Sequence, residues 1–133
     1  MSDFSNLFRD KSSFNGDIST WNTASVTKMD RVFQSASAFN GDLSKWNTAK
    51  VTQLGASFKL ASAFNGNIST WDTSKVGGLY QTFQAASEFN GDLSNWNVQN
   101  FIGMQHAFQN APKFNSDLSK WNTATMITLY AAL

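Results

Sequence analysis

Apolar residues fall on the same seven places in every 25 residues of this chain. Counted from the first residue of each Phe-Asn pair, positions 1, 5, 8, 13, 16, 20 and 23 are apolar or small. In residues 39–63 these are Phe39, Leu43, Trp46, Val51, Leu54, Phe58 and Ala61. The last three are spaced i, i+4, i+7, which predicts a short helix with one buried face. Met29, Phe33 and Ala36 repeat the spacing, as do Leu79, Phe83, Ala86 and Met104, Phe108, Ala111. Just before it, Thr48-Ala49-Lys50-Val51-Thr52 alternates polar residues with small or apolar ones. That period of two predicts a short strand with one face inward. Thr27 and Thr52 stand at the predicted helix N-cap, and Thr27 with Asp30 has the form of a capping box.

Between the predicted helix and the next strand lies FNGDLS or a close variant. Asn-Gly occurs at Asn15-Gly16, Asn40-Gly41, Asn65-Gly66 and Asn90-Gly91, and only the fifth copy departs, as Asn115-Ser116. Asn-Gly predicts a tight turn with positive φ. Asp17, Asp42, Asn67, Asp92 and Asp117 follow two residues later, placed to accept backbone amides of the bend.

The period is carried by large residues. Trp21, Trp46, Trp71, Trp96 and Trp121 are all the tryptophans, each 25 residues after the last. Phe14, Phe39, Phe64, Phe89 and Phe114 keep the same interval, as do Phe8, Phe33, Phe58, Phe83 and Phe108. A fixed period of this length predicts stacked units that cannot bury their apolar faces alone. The expected fold is therefore α/β, one solenoid of about five 25-residue coils, each a short strand plus a short helix. A single repeat domain spans 1–133: a half repeat 1–13, repeats 14–38, 39–63, 64–88 and 89–113, and an incomplete repeat 114–133. The five tryptophans with Phe14, Phe39, Phe64, Phe89, Phe114, Phe33, Phe58, Phe83 and Phe108 form its expected core.

Composition narrows the function. Ten Lys and Arg against nine Asp and Glu give a net charge of +1, with the basic residues scattered, so no nucleic-acid partner is expected. No cysteine is present, which excludes disulfides and thiolate metal sites. No apolar run approaches the ~18 residues of a membrane span. MSDFSNLFRDKSS lacks the basic and apolar regions of a signal peptide. The compartment stays open: a cytosolic chain, or a piece of an exported parent.

Candidate chemistry is sparse. The column of Asp17, Asp42, Asp92 and Asp117 offers hard oxygen ligands for calcium, but Asn67 interrupts it, which favours turn capping. The threonines Thr23, Thr48, Thr73 and Thr123 give a low-ranked alternative, a flat hydroxyl face for ice binding, interrupted by Val98. Asn15, Asn40, Asn65, Asn90 and Asn115 form an unbroken column, expected as a hydrogen-bonded ladder between coils. His106, the one histidine, has no catalytic partner in any motif, so no enzyme, cofactor or metal site is expected. Positions that vary inside the fixed frame suit recognition instead. Lys50 and Lys75 on the outward strand column, with Tyr80 and Tyr130 at the helix start, are the candidate interaction surface.

The frame FNGDLSxWNTAxVTxM…F…A…FN resembles the BspA-like surface proteins, the mycoplasma-type lipoprotein repeat related to leucine-rich repeats. The resemblance runs over essentially the whole chain. It implies a leucine-rich-repeat-like solenoid at the cell surface or outside the cell, with adhesion or protein interaction as its role and no catalytic residue to inherit. A second expectation concerns the last coil, where Leu118, Met126, Leu129 and Leu133 leave an apolar end without a polar cap. That end predicts stacking of copies end to end into filaments.

Overall fold

The computed structural model describes residues 1–127, 129 and 131–133. The 25-residue units lie one on another, joined by hydrogen bonds between residues 24 or 25 apart. The strand-plus-helix architecture expected from the periodicity does not form. No described residue is helical, and strand pairing is confined to the isolated parallel bridges Asp3–Lys28, Lys28–Gln53 and Gly78–Gly103.

The predicted helix, positions 16 to 23, is instead a ribbon whose amides alternate between two uses. In the first full coil, Val32, Gln34 and Ala36 donate to the carbonyls three residues back, Met29, Arg31 and Phe33. The amides between them cross to the next coil: Arg31 to Gly55 at 2.9 Å, Phe33 to Ser57 at 2.9 Å and Ser35 to Lys59 at 2.8 Å. The alternation needs a left-handed residue every fourth place. Position 18 supplies Asn6, Arg31, Ala56, Gln81, His106 and Ala131, and position 22 supplies Asp10, Ser35, Leu60, Ala85 and Asn110, with φ between 49° and 63°. A left-handed residue is foreign to a helix interior and costs about 1–2 kcal/mol. An eight-residue helix is itself marginal. Neighbouring coils offer aligned carbonyls and aromatic slots, and this ribbon uses them. The spacing i, i+4, i+7 is common to both structures, so the apolar pattern could not tell them apart.

The capping residues are redeployed accordingly. The hydroxyls of Thr27 and Thr52 donate to the carbonyls of Ser2 and Thr27 in the coil before, at 3.3 and 3.2 Å. Asp30 Oδ1 accepts the amide of Gly55 at 2.7 Å.

Rings fill the interior in columns. Phe33, Phe58, Phe83 and Phe108 stack at 5.5 Å, and Phe39, Phe64, Phe89 and Phe114 at 5.9–6.0 Å. Within a layer Phe33 lies 4.2 Å from Phe39 and nearly parallel to it. Trp46, Trp71 and Trp96 form the third column, and each indole N–H donates to a carbonyl 28 residues earlier, Ile18, Leu43 and Ile68. Trp121 donates likewise to Leu93 at 2.9 Å. Trp21 departs from the expected core: it is 41% exposed, meets the rings of Phe4 and Phe8, and gives its indole N–H to no carbonyl among the described residues. Phe14 and Phe114 are half-buried.

The turns also differ from expectation. No glycine has positive φ. The glycine of Asn-Gly is needed because the phenylalanine ring two residues earlier lies across it: a Cβ on Gly41 would stand 2.8 Å from the Phe39 ring. The strand column faces differently too. Thr23, Thr48 and Thr73 are buried, so no flat hydroxyl face exists there. Thr48 Oγ1 donates to the carbonyl of Asp72 at 3.1 Å and accepts its amide at 2.9 Å.

Candidate recognition trough

Across the open side of the stack, at positions 14 to 17, side chains are missing where the other coils carry them. Gly55, Gly77, Gly78 and Gly103 make the floor of a trough of about 520 Å³. The Gly78–Gly103 bridge sets its depth, since a Cβ on Gly78 would stand 2.7 Å from the carbonyl oxygen of Gly103. Gly77 is different: a Cβ there meets nothing within 4 Å, so the space above it is open.

The walls are apolar. Tyr80, Ile102 and Ile127 are 52%, 62% and 81% exposed and line the same opening. Asp30, Thr52, Gln53 and Gln105 add polar groups, and the Asp30 carboxylate is already engaged by Gly55. The amides of Gly78, Tyr80, Gly103 and Gln105 make no hydrogen bond among the described residues, which leaves donors available to a ligand carbonyl. The trough can therefore grip apolar side chains and a few acceptors.

Of the candidate interaction residues, only Tyr80 lines the trough. Lys50 and Lys75 are exposed on the neighbouring column and do not reach it, and Tyr130 lies outside the described residues. Gly55 stands in the variable position 17 column with Tyr80, whereas Gly77, Gly78, Gly103 and Ile102 escaped sequence reasoning. Their signal was Gly77-Gly78, standing where the two preceding coils have Thr27-Lys28 and Thr52-Gln53.

The aspartates at position 4 sit apart from the trough and hold turns. Asp42 Oδ1 accepts the Ser44 hydroxyl at 2.7 Å and its amide at 2.9 Å, and Asn67 holds Ser69 in the same way. The serine hydroxyl, then the serine amide, keep the Asp42 carboxyl below the usual range. Asp3, Asp17, Asp72 and Asp92 are lowered by the same pair of bonds from Ser5, Ser19, Ser74 and Ser94, and Asp117 by the Ser119 amide first and then its hydroxyl. No cluster of three or more metal-ligating side chains occurs among the described residues. No helix among them is long and apolar enough to cross a membrane.

The asparagines at position 2 are linked from coil to coil: Asn40, Asn65, Asn90 and Asn115 each donate the backbone amide to the carboxamide oxygen one coil earlier, at 2.8–2.9 Å. At the outer coil a separate hollow of about 410 Å³ is lined by Met104, Leu118, Trp121, Thr123, Leu129, Ala132 and Leu133. Leu118 and Met126 are half-buried, while Leu129 and Leu133 are 49% and 82% exposed.

One 25-residue unit, repeated and tied to its neighbours by backbone, asparagine and ring columns, defines a tandem-repeat protein. A family model described as "Mycoplasma protein of unknown function, DUF285" matches residues 1–76 and 43–132, and the chain belongs to that family. No significant match was found among curated proteins or among solved structures.

Proposed function

We propose that this chain is a non-catalytic recognition scaffold that receives apolar side chains of a protein partner in the glycine-floored trough. One observation supports the reading above others: Tyr80, Ile102 and Ile127 expose large apolar surface around a single concavity. Exposed apolar groups gathered over a hollow mark binding surfaces, whereas scattered ones are ordinary. The carboxylates at position 4 serve as turn acceptors, which favours a role without catalysis. The BspA-like frame points the same way, to adhesion or protein interaction at a cell surface.

The test exploits Gly77. Its φ is not positive and its Cβ direction is open, so Gly77→Leu fills the trough while leaving the stack intact. Displayed peptides rich in aromatic and aliphatic residues are selected on the parent chain and then measured against Gly77→Leu and Tyr80→Ala. Selected peptides are expected to lose at least about tenfold in affinity, or about 1.4 kcal/mol. Binders indifferent to both substitutions would overturn the reading.

A second reading, end-to-end self-association, is supported by the apolar hollow lined by Leu118, Leu129 and Leu133, of which the last two are exposed. Replacing Leu129 and Leu133 by aspartate is expected to leave a folded, more monomeric protein in sedimentation; identical sedimentation of parent and variant as monomers would sink it.

A further inference from the structure

Asn-Gly is the sequence in which an asparagine side chain is most open to attack by the following backbone nitrogen, since glycine has no side chain to hinder the approach. Four such pairs occur here, and Asn15, Asn40, Asn65 and Asn90 are all exposed. In each pair the attacking group is free. The amides of Gly16, Gly41, Gly66 and Gly91 make no hydrogen bond among the described residues.

The group under attack is held. The carboxamide oxygen of Asn15 accepts the Asn40 amide at 2.9 Å, and those of Asn40, Asn65 and Asn90 accept the amides of Asn65, Asn90 and Asn115 at 2.8 Å. Asn115 alone accepts nothing through its carboxamide among the described residues, and there the next residue is Ser116. We propose that the four Asn-Gly pairs are latent deamidation sites, held shut by the stacking of the coils.

In the reaction the glycine nitrogen bonds to asparagine Cγ and loses its proton, and the Cγ–nitrogen bond breaks to release ammonia. A succinimide ring remains. Water opens it at either carbonyl, giving aspartate or isoaspartate. Ring closure requires the carboxamide to turn onto its own backbone, which breaks its bond to the next coil. Isoaspartate also lengthens the main chain by one carbon, so a coil modified while open no longer meets its neighbours in register. The ladder thus decides whether a transient opening is reversible.

The folded chain and the same chain in urea are incubated at mildly alkaline pH, and peptides are scored for the gain of one mass unit. Asn40, Asn65 and Asn90 are expected to react at least about tenfold more slowly in the folded chain, the factor given by a local opening of about 1.4 kcal/mol. Ser116→Gly supplies the internal control, because it installs the residue of the other four coils beside a carboxamide that accepts no bond among the described residues, at the loss of the bond from the Leu93 amide to the Ser116 hydroxyl. In folded Ser116→Gly, Asn115 is expected to react close to its unfolded rate while Asn65 stays slow. Equal folded-state rates at Asn65 and Asn115, or equal folded and unfolded rates at Asn65, would overturn the proposal.

Discussion

The indole nitrogen of Trp71 lies 3.0 Å from the carbonyl oxygen of Leu43, 28 residues earlier, and its ring is parallel to those of Trp46 and Trp96 at 6.4 and 6.3 Å. One side chain thus ties a coil to both neighbours, by a hydrogen bond on one side and ring contact on both. Trp71 is 4% exposed, so its removal leaves a cavity that adjacent rings cannot fill. Trp71→Ala is expected to cost about 3–5 kcal/mol in denaturant unfolding. Trp71→Phe keeps most of the ring and loses the N–H, for about 1 kcal/mol from the hydrogen bond. Trp21, 41% exposed and without the bond, should cost far less when changed to alanine.

This column shows what the sequence could disclose. Period and burial were readable because Trp46, Trp71 and Trp96 must meet their own copies, and only a fixed interval allows that. Backbone conformation was not. At positions 18 and 22 Asn6, Asp10, His106 and Asn110 are of types that favour a left-handed residue, but Arg31, Ser35, Ala56, Leu60, Gln81 and Ala85 in the central coils are not, so no column signalled it. Position 19 was hidden likewise: Ser57 and Thr82 are fully buried, and their hydroxyls donate to the carbonyls of Met29 and Leu54. A helix too would turn position 19, the i+3 place after position 16, toward the apolar face, but serine and threonine there carried no apolar signal. The trough depends on absent side chains at Gly55, Gly77, Gly78 and Gly103, and absence leaves no periodic mark.

Acid should loosen the stack, and the sign follows from the aspartates. Bonds from Ser44 to Asp42, and from Ser74 to Asp72, favour the charged carboxylate in the folded chain. As pH falls the unfolded chain takes up these protons first, at about pH 3.9. The stability they contribute is whole above that value and is lost as pH falls through the lower folded values. The melting temperature is expected to hold from neutral pH down to about pH 5 and to drop below about pH 4. Ser44→Ala should move the Asp42 carboxyl back toward its ordinary value in an NMR titration. No movement would mean that the hydroxyl bond is not formed in solution.

Gly41 is expected to resist even the smallest substitution. Its added Cβ would stand 2.8 and 2.9 Å from two atoms of the Phe39 ring, which is fully buried between Phe14 and Phe64. The ring cannot retreat without disturbing both neighbours, so Gly41→Ala should cost about 1–3 kcal/mol. The fifth coil shows the escape: Ser116 is tolerated at this position where Phe114 is only half-buried. Serine there is also held, its hydroxyl accepting the Leu93 amide at 3.0 Å. Gly91→Ala, whose Cβ would stand 2.8 Å from the fully buried Phe89 ring, should lose as much as Gly41→Ala. Unchanged melting in both would show that the ring contact does not govern the position.

The left-handed residues give the most direct check of the backbone, because they separate this ribbon from a helix by opposite signs. Ala85 has φ of 57° and donates its amide to Gln109 in the next coil at 2.8 Å. Its Cβ is unfavourable in that region by about 1–2 kcal/mol, a cost glycine does not bear. Glycine also loses more freedom on folding, which takes back about 0.5–1 kcal/mol. Ala85→Gly is therefore expected to stabilise the chain by up to about 1 kcal/mol. In a helix the same substitution would destabilise by about 1 kcal/mol, so the sign alone decides. Ala85→Val tests the other direction, since a β-branched side chain is a poor fit to positive φ. It should destabilise, with the loss visible in the denaturant midpoint at unchanged slope. A lower midpoint for Ala85→Gly than for the parent would refute the left-handed ribbon at this position.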